Sequence, residues 1–135
     1  MTVELLNPDG LPKPEFYFQV GVATGSRTVY LAGQVSWDVE GTLVGRDDVA
    51  AQAERCYLNI AAALDAVGGT PADLAKVTVY VVELDESKAE QFVVGRERAA
   101  ATLGVEFRQP STWVGVTALA APGYLVEVDA VAVLA

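Results

Sequence analysis

Two periods of hydrophobic spacing run through this chain, and the places where one gives way to the other mark its elements. Near the start, Val3 to Leu6 reads as a short strand. Pro8, Pro12 and Pro14, with Asn7, Asp9 and Gly10 among them, predict an irregular arm after it. Residues 16–22, Phe-Tyr-Phe-Gln-Val-Gly-Val, read as a strand, Thr24-Gly25-Ser26 as a turn, and Thr28 to Ala32 as a more apolar strand. That pair is expected to form a hairpin. Gly33-Gln34 ends it, and Asp38 to Gly45 reads as a loop or short hairpin.

The spacing then changes to intervals of three and four. Val49, Ala53, Cys56, Ile60, Leu64 and Val67 form one stripe, which predicts a helix from Asp47 or Asp48 to Val67, with Gln52, Arg55 and Asn59 off the buried face. Either Asp suits the N-cap, and Gly68-Gly69 supplies the stop. Thr70-Pro71-Ala72-Asp73 has capping-box spacing with Pro at the first helical position, so one short helical turn is expected. Lys76 to Glu83 contains six consecutive β-branched or aromatic residues from Val77 to Val82 and reads as a central strand. A second helix is expected from Ser87, capped by Ser87 with Glu90, to Leu103, with Ala89, Phe92, Val93, Ala100 and Leu103 as its apolar positions. Thr112 to Ala118 and Tyr124 to Leu134 are the last two strands, joined at Ala121-Pro122-Gly123.

The order ββ(β)–α–β–α–ββ predicts an α+β fold in one domain, residues 1–135, with two helices on one face of a mixed sheet. Val77–Val82 and Val126–Leu134 are apolar on both faces, and two helices cover only one. The second face is therefore expected to be buried against identical subunits.

Composition narrows the chemistry. The chain has no histidine, which removes His-based acid–base catalysis, the Ser-His-Asp and Cys-His nucleophile systems and nearly every transition-metal site. One cysteine, Cys56, allows no intrachain disulfide; its place on the apolar stripe marks it as a buried thiol. The net charge of −9 opposes a nucleic-acid partner. No apolar run approaches the roughly 18 residues of a membrane span, and no signal-peptide pattern opens the chain, so a cytoplasmic protein is expected.

Several stretches, in order, resemble the Rid/YjgF family. Tyr17-Phe18-Gln19 is similar to its Tyr-x-Gln, and Leu31-Ala32-Gly33-Gln34 to its Ser-Gly-Gln strand end. Gln52 through Gly68 resembles its Ala/Asn-rich first helix. Leu74 to Val81 is similar to its Val-Lys-Thr-Thr-Val-Tyr-Val strand, and Val126-Glu127-Val128-Asp129-Ala130-Val131-Ala132 to its closing Ile-Glu-Ile-Glu-Ala-Ile-Ala. The resemblance implies a chorismate-mutase-like fold and a homotrimer with a central barrel. It also implies a small-molecule ligand in each inter-subunit cleft, and hydrolysis of reactive enamines or imines to a carbonyl compound and ammonia with no metal or organic cofactor. The alternatives are a ligand-binding or regulatory trimer that lost the reaction and, in keeping with the family's older label, an endoribonuclease.

The same resemblance supplies site residues. Glu127 corresponds to the family's water-positioning Glu; alternation puts it on one strand face with Asp129, about 6.5–7 Å apart. Tyr17 corresponds to a cleft-closing Tyr, and Gly33 to a backbone approach to ligand. In active members a Pro-x-Arg-Ser motif supplies an Arg for the substrate carboxylate. In Pro110-Ser111-Thr112-Trp113-Val114-Gly115-Val116, aligning the valines puts Ser111 at that position, with Thr112 and Trp113 beside it as ligand contacts. Trp113 would stack on a flat ligand or pack in an interface. Arg108, three residues before Ser111, would reach the cleft only from another angle.

Overall fold

The computed structural model describes residues 2–135. Strands β1 (Val3–Leu6) and β2 (Val20–Ala23) form a two-stranded antiparallel sheet of their own. β3 (Arg27–Tyr30), β4 (Gln34–Val35), β5 (Leu74–Val82), β6 (Ser111–Val116) and β7 (Val126–Leu134) build the main sheet in the order β3-β7-β5-β6. β4 follows β3 along the same edge of β7. Helices α1 (Val49–Asp65) and α2 (Glu86–Leu103) pack together on one face. The β5–β6 pair is parallel, as a strand–helix–strand crossover through α2 requires, and the other main-sheet pairs are antiparallel. The α+β, chorismate-mutase-like arrangement expected above is the one observed. No helix among the described residues is long and apolar enough to cross a membrane.

The expected hairpin of residues 16–22 with 28–32 does not form. Residues 16–19 lie outside any strand, β2 pairs β1, and β3 pairs β7. The cause is pairing at a distance: β7 offers β3 a partner with a buried apolar row, which the half-exposed β2 does not. Helix α1 begins where Asp48 accepts a hydrogen bond from the Ala51 N–H. The Thr70–Asp73 turn forms as a single 3₁₀ turn, with the Asp73 carboxylate accepting from the Thr70 N–H. The α2 cap is Asp85, not Ser87: its carboxylate accepts from the Lys88 N–H, and Gly104 closes the helix in the left-handed region.

The core lies between the helices and the sheet. Cys56, Tyr57, Ile60 and Leu64 of α1 and Phe92 of α2 meet Val77, Val79 and Val81 of β5 and Val126, Val128 and Ala132 of β7. Tyr57 sits between the Phe92 and Phe107 rings, with centroids 5.9 and 4.5 Å away. Burial of Cys56 and Tyr57 pushes both their pKa values up. Gln52, expected off the buried stripe, is instead fully buried. Its amide donates to the Gly45 and Gly123 carbonyls and accepts from the Leu125 N–H, so it ties two loops to α1. The opposite sheet face alternates with this core and carries Thr78, Tyr80, Val82, Glu127, Asp129, Val131 and Val133, all half-buried, beside an exposed Tyr30. Among the described residues of one chain no helix covers that face.

Candidate functional site

The candidate residues fall into two groups on opposite faces of the sheet. Glu127 belongs to the open face. It stands in register with Tyr80 of β5 and Val35 of β4, and Asp129 follows it on the same face beside Thr78. Gly33 lies in the link between β3 and β4, directly against this carboxylate. A Cβ on Gly33 would stand 2.5 Å from Glu127 Oε2 and 2.8 Å from its carboxyl carbon. The glycine is therefore what lets the glutamate lie along the backbone there. Glu127 is half-buried and accepts no side-chain or backbone hydrogen bond among the described residues, so its oxygens are available to a ligand or water.

The second group lines a cavity of about 280 Å³ at the β6 edge, on the helix side. Its walls are Phe16, Tyr17, Val93, Arg96, Ser111 and Trp113. Ser111 and Trp113 are two residues apart and share a strand face. The Trp113 indole N–H donates to Ser111 Oγ over 3.2 Å, and its ring meets the Phe92 ring edge-on at 4.9 Å. The tryptophan is thus both a packing residue of α2 and a wall of the cavity. Tyr17 is placed by its neighbours: the Phe18 N–H donates to the Arg108 carbonyl at 2.8 Å, and the Gln19 N–H to Asn7 Oδ1 at 2.8 Å. Those bonds hold the irregular arm against the lead-in to β6.

Thr112 alternates to the other face of β6, away from this cavity, and its hydroxyl accepts from Lys76 Nζ at 2.7 Å. Arg108 does not enter the cavity either. Its guanidinium pairs with Glu97 at 3.1 Å and lines a separate hollow of about 350 Å³ with Val3, Leu5 and Phe18. No cluster of three or more His, Cys, Asp or Glu side chains able to hold a metal occurs among the described residues.

The family model for Endoribonuclease L-PSP matches residues 12–134. The chain belongs to this family, the Rid/YjgF family. A protein of unknown function of the Rid family, YyfB from Yersinia pestis, superposes with a TM-score of 0.86 at 32% identity, covering 99% of this chain and all of that one. A member of the YjgF/YER057c/UK114 family from Mycobacterium tuberculosis is also 32% identical, over 87% of this chain and 86% of its own, with a TM-score of 0.62. RidA from an Antarctic Psychrobacter is 27% identical over 99% of both chains, with a TM-score of 0.65. A RutC family protein of Pyrococcus abyssi is 30% identical over 86 residues, 64% of this chain and 67% of its own length.

Within this Rid/YjgF chain, three cavity residues were not named as site residues from the sequence: Phe16, Val93 and Arg96. Arg96 is 2% exposed and sits in the middle of α2. The signal for it is the gap in the apolar stripe of that helix. Phe92 and Ala100 are buried four residues to either side of Arg96, so the periodicity places the arginine on the buried face.

Proposed function

We propose that this Rid/YjgF chain is a cofactor-independent hydrolase of small imines or enamines, with Glu127 positioning the attacking water. The observation that carries this reading is the Glu127 carboxylate laid against Gly33 with its oxygens unclaimed, in a chain of this family. An enamine first tautomerises to its imine, the β-carbon gaining a proton as the nitrogen gives one up; water then adds to the carbon of the C=N bond while Glu127 takes a proton from it, and that proton passes to nitrogen. The resulting carbinolamine collapses to a carbonyl group and ammonia leaves. No step needs a redox partner.

The two groups of candidate residues suit a cleft shared between copies. The open sheet face, with Tyr30, Tyr80, Val82, Val131 and Val133 uncovered, supports a homotrimer in which three such sheets close a central barrel. In that assembly Glu127 of one copy would face the Tyr17, Ser111 and Trp113 cavity of the next. A small molecule is then the ligand, and neither a nucleic acid nor a membrane is a partner.

The test is keto acid and ammonia release from 2-aminoacrylate. The expected result is release above the buffer rate, reduced about 100-fold or more in Glu127→Gln. A wild-type rate equal to buffer would sink the hydrolase reading. One observation favours a second reading, a ligand-binding trimer without turnover: the Ser111 hydroxyl, at the position where active members carry Arg, already accepts from Trp113. The endoribonuclease named by the family model is disfavoured by the −9 charge and the missing histidines.

A further inference from the structure

We propose that the hollow walled by Val3, Leu5, Phe18, Leu74, Arg108 and Gln109 is a second binding site, for a small uncharged molecule with an apolar body and an amide head. The hollow holds about 350 Å³, within the range of small-molecule sites, and it is separate from the β6-edge cavity: no residue lines both. The group that marks it is Gln109. This residue is 5% exposed, and its side-chain amide has no hydrogen-bond partner among the described residues. The other buried glutamine, Gln52, has both ends of its amide bonded, twice as donor and once as acceptor. A buried amide with neither end paired is rare and costly, and it leaves room for an outside donor and acceptor. The amide is not sealed in. The side-chain nitrogens cut off from solvent without a partner are Arg55 Nε and Arg96 Nε, and the Gln109 amide is not among them. The space that Gln109 borders is this hollow.

The remaining walls set the rest of the ligand. Val3 and Leu74 are buried and Leu5, Phe18, Pro71 and Val105 half-buried, so the body that fits them is apolar. Charge at the rim cancels. Arg108 and Glu106 both line the hollow, and the Arg108 guanidinium already meets Glu97 at 3.1 Å and Glu106 at 4.0 Å. An anion would gain the Arg108 charge only against that of Glu106, and a cation the reverse; a neutral molecule meets neither repulsion. The Gln109 amide presents a donor and an acceptor side by side, a pattern that a primary amide or a lactam matches with two parallel hydrogen bonds. A ligand that leaves either end unpaired would displace water without replacing its bonds.

Such a site stands whether or not the chain hydrolyses imines, so the test is binding. Benzamide, acetophenone and benzoate share a ring and differ in the head: donor with acceptor, acceptor alone, and anion. Each is titrated into the full isotope-labelled chain and followed by calorimetry and by the nuclear magnetic resonance signal of the Gln109 side-chain amide, assigned through the backbone. Benzamide is expected to shift that signal and to bind about tenfold more tightly than either of the others. Gln109→Met, which keeps the side-chain length, is expected to weaken benzamide about tenfold and acetophenone by no more than about threefold. Ala72→Trp, on the exposed rim of the hollow, blocks it with Gln109 in place, so it is expected to abolish the shift even if Gln109→Met fails to fold. Affinity for acetophenone or benzoate equal to or above that for benzamide would overturn the assignment. So would binding that moves the Trp113 indole N–H and not the Gln109 amide, undiminished benzamide binding in Ala72→Trp, or a chain that takes up none of the three.

Discussion

A single missing methyl group shapes the Glu127 site. Adding it, as Gly33→Ala, would set a Cβ 2.5 Å from the carboxylate; the clash falls on the far end of a flexible side chain, which can swing away. The expected outcome is a melting temperature near wild type with imine hydrolysis reduced about tenfold or more, because the water-positioning group has moved. Thermal melts beside the 2-aminoacrylate assay check it; an active, equally stable variant would show that this placement of Glu127 is unnecessary. Cys56 behaves oppositely. Its thiol is fully buried, and its pKa is raised first by burial and next by the Glu127 charge, so the reactive thiolate is suppressed at neutral pH. Modification by a chromogenic disulfide reagent is expected to be negligible in the native protein and complete in denaturant. Of the residues named from the sequence, Tyr17, Ser111 and Trp113 line one cavity, while Thr112 faces away from it and Gly33 stands against Glu127. Arg96 was not read from the sequence because a charged residue on an apolar stripe looks like an interruption until its burial is seen.

The elements owe their positions to a few polar contacts as well as to the core. Gln52 makes three hydrogen bonds that join α1 to the loops before it and before β7. Gln52→Leu keeps the volume and strands the Gly123 carbonyl and the Leu125 N–H, while the Gly45 carbonyl keeps its bond from the Asp48 N–H, so destabilisation of about 2–4 kcal/mol is expected in urea unfolding. Asp85→Ala removes the α2 cap, with an expected cost of about 1 kcal/mol. Ser87→Ala is expected to cost much less, and equal effects would contradict the cap assignment. Periodicity located both helices and the central strands to within a few residues, because stripes such as Val49–Leu64 and Val77–Val82 are decided by burial alone. It misread residues 16–22, where Phe16 and Tyr17 carry strand propensity but serve as cavity walls. Strand propensity says nothing of which partner a segment will find, and β3 found β7 about a hundred residues away.

For the whole molecule, the uncovered sheet face sets the expectation. Light scattering behind size exclusion should give a mass of three chains. Val131 pairs with Tyr30 and Lys76 near the middle of that face, so Val131→Asp should lower the mass while retaining the circular dichroism of the fold. It should also abolish hydrolysis if the cleft is shared between copies. A wild-type monomer that is fully active would refute the shared cleft. The need for cover was readable from the valine-rich strands; the number of copies was not, since an apolar face demands burial without specifying its symmetry.

The position of β7 has a consequence for how the molecule comes into being. It is the last strand along the chain, yet it lies between β3 and β5 and also pairs β4. During synthesis β3, β4 and β5 wait beside an empty place, and Glu127 arrives with the segment that fills it. The sheet cannot close before Glu127 is in position, so under the proposed hydrolase reading a half-made chain has no partly active form.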